Sequence, residues 1–203
     1  MAKYKGMKYL KNRLMTKRER VKTRYKYYEM KNIIRDFKIS TPPDLRSVQT
    51  VLGWCGKAVD NLADRIVFRE FAEDNFDIGE IFAMNNPDTF FDSAILSALI
   101  SSCCFVYISE SENGFPKLEI IDGGNATGII DAGTGLLKEG YAVLERDDSD
   151  NPITEAYFTT GNIRVFQSGE FRDIPNNAPY PLLVPIIFRP DAVRPFGRSR
   201  ISR

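Results

Sequence analysis

The 203-residue chain contains no histidine and only three cysteines. Histidine is the usual general base near neutral pH and the commonest transition-metal ligand in proteins. Its absence excludes Ser-His-Asp triads, Cys-His pairs and zinc sites that use histidine. Cys55 stands alone, and Cys103 and Cys104 are adjacent in an apolar run, where buried thiols are expected rather than a strained bridge. The sequence therefore predicts a protein that is not an enzyme, with no catalytic residue, no metal site and no cofactor.

Long hydrophobic runs are also missing. No segment approaches the roughly 20 consecutive apolar residues that a bilayer span needs. The longest apolar stretch, residues 94–106, is interrupted by Ser97, Ser101 and Ser102. The early lysines are not followed by an apolar stretch, so no secretory signal is predicted. We expect no membrane segment and a cytoplasmic or assembled-particle context.

What the chain does have is an uneven division of charge. The first 38 residues hold 14 of the 28 lysines and arginines and three acidic residues, a net +11, while the remaining 165 residues carry −10. Such asymmetry usually indicates a partner: nucleic acid, a membrane surface or the acidic part of a neighbouring copy. A solvated helix face is the alternative that needs no partner. Residues 1–40 are predicted to form a basic helical arm.

A regular apolar seam predicts the next helix. Thr41 and Pro42 are typical of an N-cap followed by the first helical position. Apolar residues then recur at steps of three and four for more than five turns, so one narrow face must be buried. A coiled coil between copies or a helix lying on a sheet would bury it. The seam consists of Leu45, Val48, Leu52, Cys55, Val59, Leu62 and Ile66.

After this helix the pattern changes to that of a sheet. A second helix is predicted from Pro87 to Ser101. Asn113 and Gly114 then predict a hairpin turn, because this pair readily adopts the positive φ of a tight turn. Strands are predicted over residues 104–108, 117–121, 127–131, 137–145, 153–159 and 162–167. The fold class is therefore α+β, with helices packed on a mostly antiparallel β-meander in a domain over residues 41–190.

The last part of the chain has a different composition. Residues 175–195 hold six of the eleven prolines around a short apolar strand at 183–188, which predicts an extended, linking stretch. Residues 191–203 are predicted to open a helix that is too short to bury a face by itself.

Two groups of carboxylates could carry chemistry. Asp131 follows an apolar strand, as in an aspartyl protease turn, but Ala132 stands where a hydroxyl would orient paired carboxylates, and a hydrolase would require a dimer. Asp147, Asp148 and Asp150 could attract a cation, but the glycine and glutamate of an EF-hand are missing from the positions that follow. Both groups are interpreted as hairpin turns.

Several segments occur in a distinctive order along the chain. They are Arg24-Tyr25-Lys26-Tyr27-Tyr28, Pro42-Pro43-Asp44-Leu45-Arg46, the stretch from Gly53 through Trp54 and Val59-Asp60 to Arg65, Val184-Pro185-Ile186-Ile187-Phe188-Arg189, and Pro195-Phe196-Gly197-Arg198-Ser199-Arg200-Ile201. Over most of residues 18–203 this order resembles the N-terminal part of tailed-bacteriophage portal proteins, the head-to-tail connectors. In that family a tyrosine pair closes an early helix, a helix with a tryptophan, a Val-Asp pair and an arginine follows, and a Gly-Arg-Ser segment opens a long helix.

The resemblance implies a structural role in a virion. Portal proteins form a ring of about a dozen copies at one capsid vertex, assembled in the host cytoplasm. The implied partners are other copies, the major capsid protein, a head-tail adaptor, a terminase and double-stranded DNA bound without sequence preference. The stem, clip and tunnel loop of the family follow the Gly-Arg-Ser segment. The resemblance therefore implies that this chain corresponds to the wing part of a portal protein, truncated before the stem, clip and tunnel loop. It assigns no tunnel-lining or terminase-docking role to any residue of this chain.

The resemblance also suggests a role for the basic helix. DNA slides through a portal, and strong discrete phosphate contacts would impede that movement. Six cations are therefore expected to serve assembly or weak electrostatic contact: Lys17, Arg18, Arg20, Lys22, Arg24 and Lys26. The alternative function is a nucleic-acid-binding module acting through the basic arm. Tight duplex binding by the isolated chain with a steep salt dependence would indicate that alternative.

Overall fold

A computed structural model describes residues 4–31, 53–73, 76–111 and 114–202. This part of the chain has an α+β fold, as predicted. Its helices are α1 (Met7–Tyr28), α2 (Trp54–Ala63), α3 (Ile78–Met84) and α4 (Pro87–Ser101). Its strands are β1 (Cys103–Glu110), β2 (Pro116–Asp122), β3 (Ala126–Ile130), β4 (Leu137–Arg146), β5 (Pro152–Phe158), β6 (Asn162–Gln167), β7 (Glu170–Pro175) and β8 (Leu183–Ile187). None of the helices in these ranges is both long and apolar enough to cross a bilayer.

The predicted meander is present as a five-stranded sheet. Its strand order is β3-β4-β5-β6-β7, and each pair of neighbours is antiparallel. The bounds of β3 to β6 agree with the prediction within one residue. The sequence did not predict β7, which pairs with β6 across the turn at Ser168 and Gly169. Four of the six β7 residues are polar, charged or proline, and five of the six are exposed. The strand therefore lacks the apolar alternation that marks a half-buried strand.

A second, three-stranded sheet has the order β2-β1-β8. The predicted hairpin of β1 and β2 forms its first pair. The short strand predicted at residues 183–188 is present as β8, which pairs antiparallel with β1 and places Pro185 opposite Phe105. The stretch over residues 175–195 therefore does more than link, because its strand is part of the sheet. Proline is tolerated here because β8 is an edge strand. The pairing gives the backbone groups on the free side of β1 their hydrogen-bond partners.

The main core lies between the two sheets. Alternate residues of β1 point to opposite faces, as strand geometry requires. Cys103 and Phe105 pack among the small and apolar residues of the five-stranded sheet, whereas Cys104 packs against Ala94 and Ala98 of α4. The adjacent cysteines therefore lie on different faces of the strand. Both are buried free thiols, as predicted.

Helix α1 covers the outer face of the five-stranded sheet. Leu10 and Leu14 are buried against Tyr141 and Val143 of β4. Further along the helix, Val21 is also buried. The basic helix thus packs on the body instead of projecting from it. The predicted boundary at residue 40 lies outside the described residues.

Helix α2 contains only the middle of the predicted seam. Val59 is fully buried against Leu99 and Ile100 of α4, while Cys55 and Leu62 are half-buried. The predicted end of the seam is wrong, because α2 ends at Ala63 and Ile66 lies outside it, 41% exposed. Its amide bonds to the carbonyl three residues back, a 3₁₀-type turn that rotates Ile66 away from the buried face. Leu45, Val48 and Leu52 lie outside the described residues.

The predicted helix over residues 191–203 is also wrong. Residues 191–202 form turns and bends. Gly197 has a φ of +69°, which breaks a helix, and a Cβ at this position would overlap the carbonyl oxygen of Phe188. The buried hydroxyl of Ser199 lies 3.3 Å from the carbonyl oxygen of Leu99 in α4, to which it donates. The segment is thus anchored along α4 and the end of β8.

Candidate functional site

One face of α1 carries a stripe of cations. Arg13, Lys17, Arg20 and Arg24 follow one another at steps of four, three and four residues. Residues at this spacing share a helix face, and the stripe is about 16 Å long. It faces the anchored C-terminal segment, which contributes Arg194 and Arg198.

Together these elements form an open groove of about 800 Å³, called here the basic groove. Its six cations are the four of the α1 stripe with Arg194 and Arg198, and among the described residues no carboxylate lines it. Tyr9, Phe196 and several small polar residues complete its walls. The groove therefore concentrates positive charge beside two aromatic rings.

Aromatic rings and backbone oxygens hold part of the stripe in place. The Lys17 ammonium lies 5.5 Å from the centre of the Phe105 ring and 5.4 Å from that of Phe196. It also lies 3.0 Å from the sulfur of Cys103. Arg13 stacks over Phe196 at 5.0 Å and donates to the Gly128 carbonyl oxygen at 3.1 Å. These cations are positioned before any ligand arrives.

The end of the stripe is electrostatically crowded. Arg24 donates to the carbonyl oxygen of Ser101 at 2.6 Å. Burial lowers the pKa of Arg24, and the nearby charge of Arg20 lowers it further. The guanidinium groups remain charged at neutral pH, so an anion in the groove would relieve their repulsion. Arg20 and Arg194 are exposed and available to such an anion.

The opposite flank of α1 is partly neutralised within the chain. Asp150, in the loop between β4 and β5, pairs with Arg18 and with Lys22, the latter at 2.7 Å. Hydrogen bonds from these two cations hold the pKa of Asp150 well below its usual range. Lys26 is exposed on the same flank, beside Glu29.

The structure therefore divides the six predicted contact cations. Lys17, Arg20 and Arg24 line the basic groove, whereas Arg18, Lys22 and Lys26 do not. The sequence prediction missed Arg13, although its spacing from Lys17 places it on the same face. It also missed Arg194 and Arg198, because no local pattern indicates that the C-terminal segment folds back beside α1.

A second groove, of about 590 Å³, has the opposite charge and is called here the acidic groove. Asp60 and Asp64 of α2 and Asp88 and Asp92 of α4 line it, each pair at a spacing of four residues. Among the described lining residues there is no cation. The rest of the lining is largely apolar and includes exposed Val67. In the described ranges, no group of three or more carboxylate or thiol side chains is placed to hold a metal ion.

The carboxylates that the sequence raised as possible chemistry lie in turns. Asp131 is 3.3 Å from the Lys138 ammonium and accepts the Gly133 amide at 3.4 Å. Lys138 is the main reason why the pKa of Asp131 is lowered. Asp147 accepts the backbone amide and the side-chain amide of Asn151. Both arrangements stabilise a hairpin connection, as the sequence predicted.

The fold and its two grooves define an α+β protein with a divided electrostatic surface. A scan against models of known protein families and a search of curated proteins find no match for the chain.

Proposed function

We propose that this protein is a structural subunit of a viral portal ring, equivalent to the wing part of a tailed-bacteriophage portal protein. In this role it sits at the capsid vertex of the virion and helps to form the conduit for packaging and ejection of double-stranded DNA and for joining head to tail. The proposal starts from the order of segments along the chain. Its main structural support is that four of those segments, distant in sequence, contribute to one apolar cluster, while residues 42–46 lie outside the described part of the chain.

That unit is a single apolar cluster. Tyr25 and Tyr28 from the end of α1 pack with Val59 of α2, Leu99 of α4 and Ile201 of the C-terminal segment. Four separate parts of the chain therefore contribute to one small core. This packing gives Tyr28, at the end of α1, and Val59, of the Val-Asp pair, a common structural role.

Polar contacts tie the same segments together. The Tyr28 hydroxyl donates to the Asp60 carboxylate at 2.9 Å, which links the tyrosine pair to the Val-Asp pair. The backbone amide of Arg200 donates to the Leu99 carbonyl oxygen at 2.8 Å. The Gly-Arg-Ser segment and the residue after it thus anchor the C-terminal segment to α4. This anchoring supports a structural role for the segment.

The acidic groove supports contact between copies. Val67 in its lining is 73% exposed, and Trp54 at the start of α2 is 78% exposed. Large exposed apolar side chains beside a polar rim are typical of surfaces that bind another protein. A head-to-tail contact of this kind generates a closed ring when its rotation closes. The major capsid protein, adaptor and terminase remain proposed partners through the family resemblance.

Particle mass tests the proposed function. We expect light scattering and native mass spectrometry of the purified chain to show assemblies of about a dozen copies, with rings visible by negative-stain electron microscopy. Val67→Asp should reduce assembly, because it buries a charge in the contact. Val193→Asp is the matched control, since Val193 is also highly exposed but lies outside both grooves. A chain that remains monomeric at all concentrations contradicts the proposal.

A further inference from the structure

We propose that the basic groove binds the phosphodiester backbone of a nucleic acid without reading its sequence. All six cations of the groove belong to one copy of the chain. The inference therefore goes beyond ring assembly and does not depend on it.

The two sides of α1 differ in how far their cations are paired with carboxylates. On the outer flank of α1, Arg18 and Lys22 are paired with Asp150. In the basic groove, Arg198 pairs with Asp191 at 2.8 Å, but no ion pair within the described residues involves the other five cations. The four cations of the α1 stripe therefore keep their positive charge available on the groove side. Such a concentration raises the local potential and attracts a polyanion.

The cations of the α1 stripe are regularly spaced. Side chains three or four residues apart on a helix lie about 5–6 Å from one another, so the stripe presents charge at a regular interval over about 16 Å. Double-stranded DNA carries one phosphate charge per about 1.7 Å of its axis, so the stripe faces several phosphates at once. Five of the six cations are arginines, whose planar fork donates two hydrogen bonds to a phosphate.

Several cations of the basic groove are preorganised. Arg13, Lys17 and Arg24 are already held by ring faces and backbone oxygens. Ordering a long cationic side chain on binding costs conformational entropy, and these three residues avoid part of that cost. Arg20 and Arg194 remain exposed to meet the ligand. Contacts of this kind position a nucleic acid but do not specify its bases.

The shape of the grooves favours nucleic acid over an acidic surface of another copy. The acidic groove, lined by Asp60, Asp64, Asp88 and Asp92, is itself concave. Two concave surfaces cannot fill one another, whereas the ridge of a nucleic acid backbone is convex and carries charge along its whole length. We therefore assign the basic groove to phosphate and leave the acidic groove to protein contact.

The test is a salt titration of the full chain with a fluorescent duplex of about 20 base pairs, measured by anisotropy from about 50 to 200 mM salt. The test variant is Arg20→Gln/Arg194→Gln, which removes two exposed groove cations. Each lost phosphate contact should reduce the slope of log affinity against log salt by about 0.9, so the slope falls by about 2. At about 0.1 M salt, the affinity should fall roughly tenfold or more.

Lys57→Gln/Arg172→Gln is the matched control. It also removes two exposed cations, but neither lines the basic groove. We expect it to change the affinity less than about twofold, because charges beyond a screening length contribute little. Thermal melts of both variants should match that of the unaltered chain, since the replaced side chains are exposed. A second duplex of unrelated sequence should bind with the same affinity.

Three outcomes would overturn the assignment. The first is a slope for the groove variant equal to that of the unaltered chain. The second is displacement of the duplex by poly-L-glutamate as effectively as by unlabelled DNA, which indicates an acidic protein partner. The third is loss of DNA binding together with loss of assembled particles, which assigns the groove to contact between copies. The assignment is supported if the groove variant loses DNA binding while its particle mass equals that of the unaltered chain. This holds whether the unaltered chain is a ring or a monomer.

Discussion

Glu139 shows how a single buried charge connects α1 to the sheet. This β4 residue is 1% exposed. Its carboxylate accepts the backbone amides of Lys5 and Gly6 at 2.7 and 3.0 Å, at the start of α1, and the Tyr157 hydroxyl at 2.7 Å. Burial and the neighbouring Glu139 raise the pKa of Tyr157. A carboxylate is favoured here because the N-terminal end of a helix carries partial positive charge.

Replacing Glu139 tests this connection. We expect Glu139→Gln to lower the free energy of unfolding by about 2 kcal/mol, because hydrogen bonds to an ionised acceptor are replaced by weaker ones. Tyr157→Phe removes one of the three bonds and should cost about 1 kcal/mol. Urea denaturation measures both. Equal stability of Glu139→Gln and the unaltered chain would show that the carboxylate contributes nothing as an ion.

Asp150 predicts a dependence of stability on pH. Arg18 and Lys22 lower its pKa in the folded chain, so the folded state holds the Asp150 proton less tightly than the unfolded state. Its stabilising contribution is therefore complete above the ordinary aspartate pKa of about 4 and is lost as the pH falls toward the lower folded-state value. Asp150→Asn should lower the melting temperature at neutral pH and reduce its decline below about pH 4. Melting temperatures of Asp150→Asn and of the unaltered chain, measured from neutral pH to below about pH 4 at low and high salt, test this expectation. Parallel pH profiles of the two chains would show that the pairing does not contribute to stability.

At the scale of elements, α1 is the informative case, because its composition suggests a projecting arm and its packing makes it part of the body. Leu14→Ala should lower the free energy of unfolding by about 3 kcal/mol, since it leaves a cavity against Tyr141 and Val143. Met15→Ala, next to it but 64% exposed, should change it by less than about 0.5 kcal/mol. Urea denaturation followed by circular dichroism distinguishes the two variants. An arm that folds independently of the sheet would leave unfolding of the sheet unchanged in Leu14→Ala.

Elements with strong local signals could be predicted from the sequence. Helix α4 begins and ends at the predicted residues, because Asn86-Pro87 marks its start and the apolar pattern changes to a period of two after its end. Features that depend on distant contacts could not be predicted. The apolar run at residues 183–188 predicted a strand but not its pairing with β1, and the turns after Asp191 depend on contacts with Leu99 and Phe188. No local periodicity reports such partners.

At the scale of the whole molecule, the same distinction applies to the candidate site. The charge asymmetry and three groove residues, Lys17, Arg20 and Arg24, were available from the sequence. The separation of α1 into a partly neutralised flank and an unpaired groove face depends on where Asp150 lies in three dimensions. A count of charge along the chain therefore overstates the part of the basic helix that can meet a partner.

The pairing of β8 with β1 also has a consequence for biosynthesis. Strand β1 reaches its second neighbour only after the ribosome has made residue 187, because β8 supplies that neighbour. Until then the nascent polypeptide presents an unsatisfied, mostly apolar edge that can recruit a strand from another molecule. Chaperone protection of the growing chain should therefore matter most in the interval between synthesis of the β1–β2 hairpin and the emergence of β8 from the ribosome.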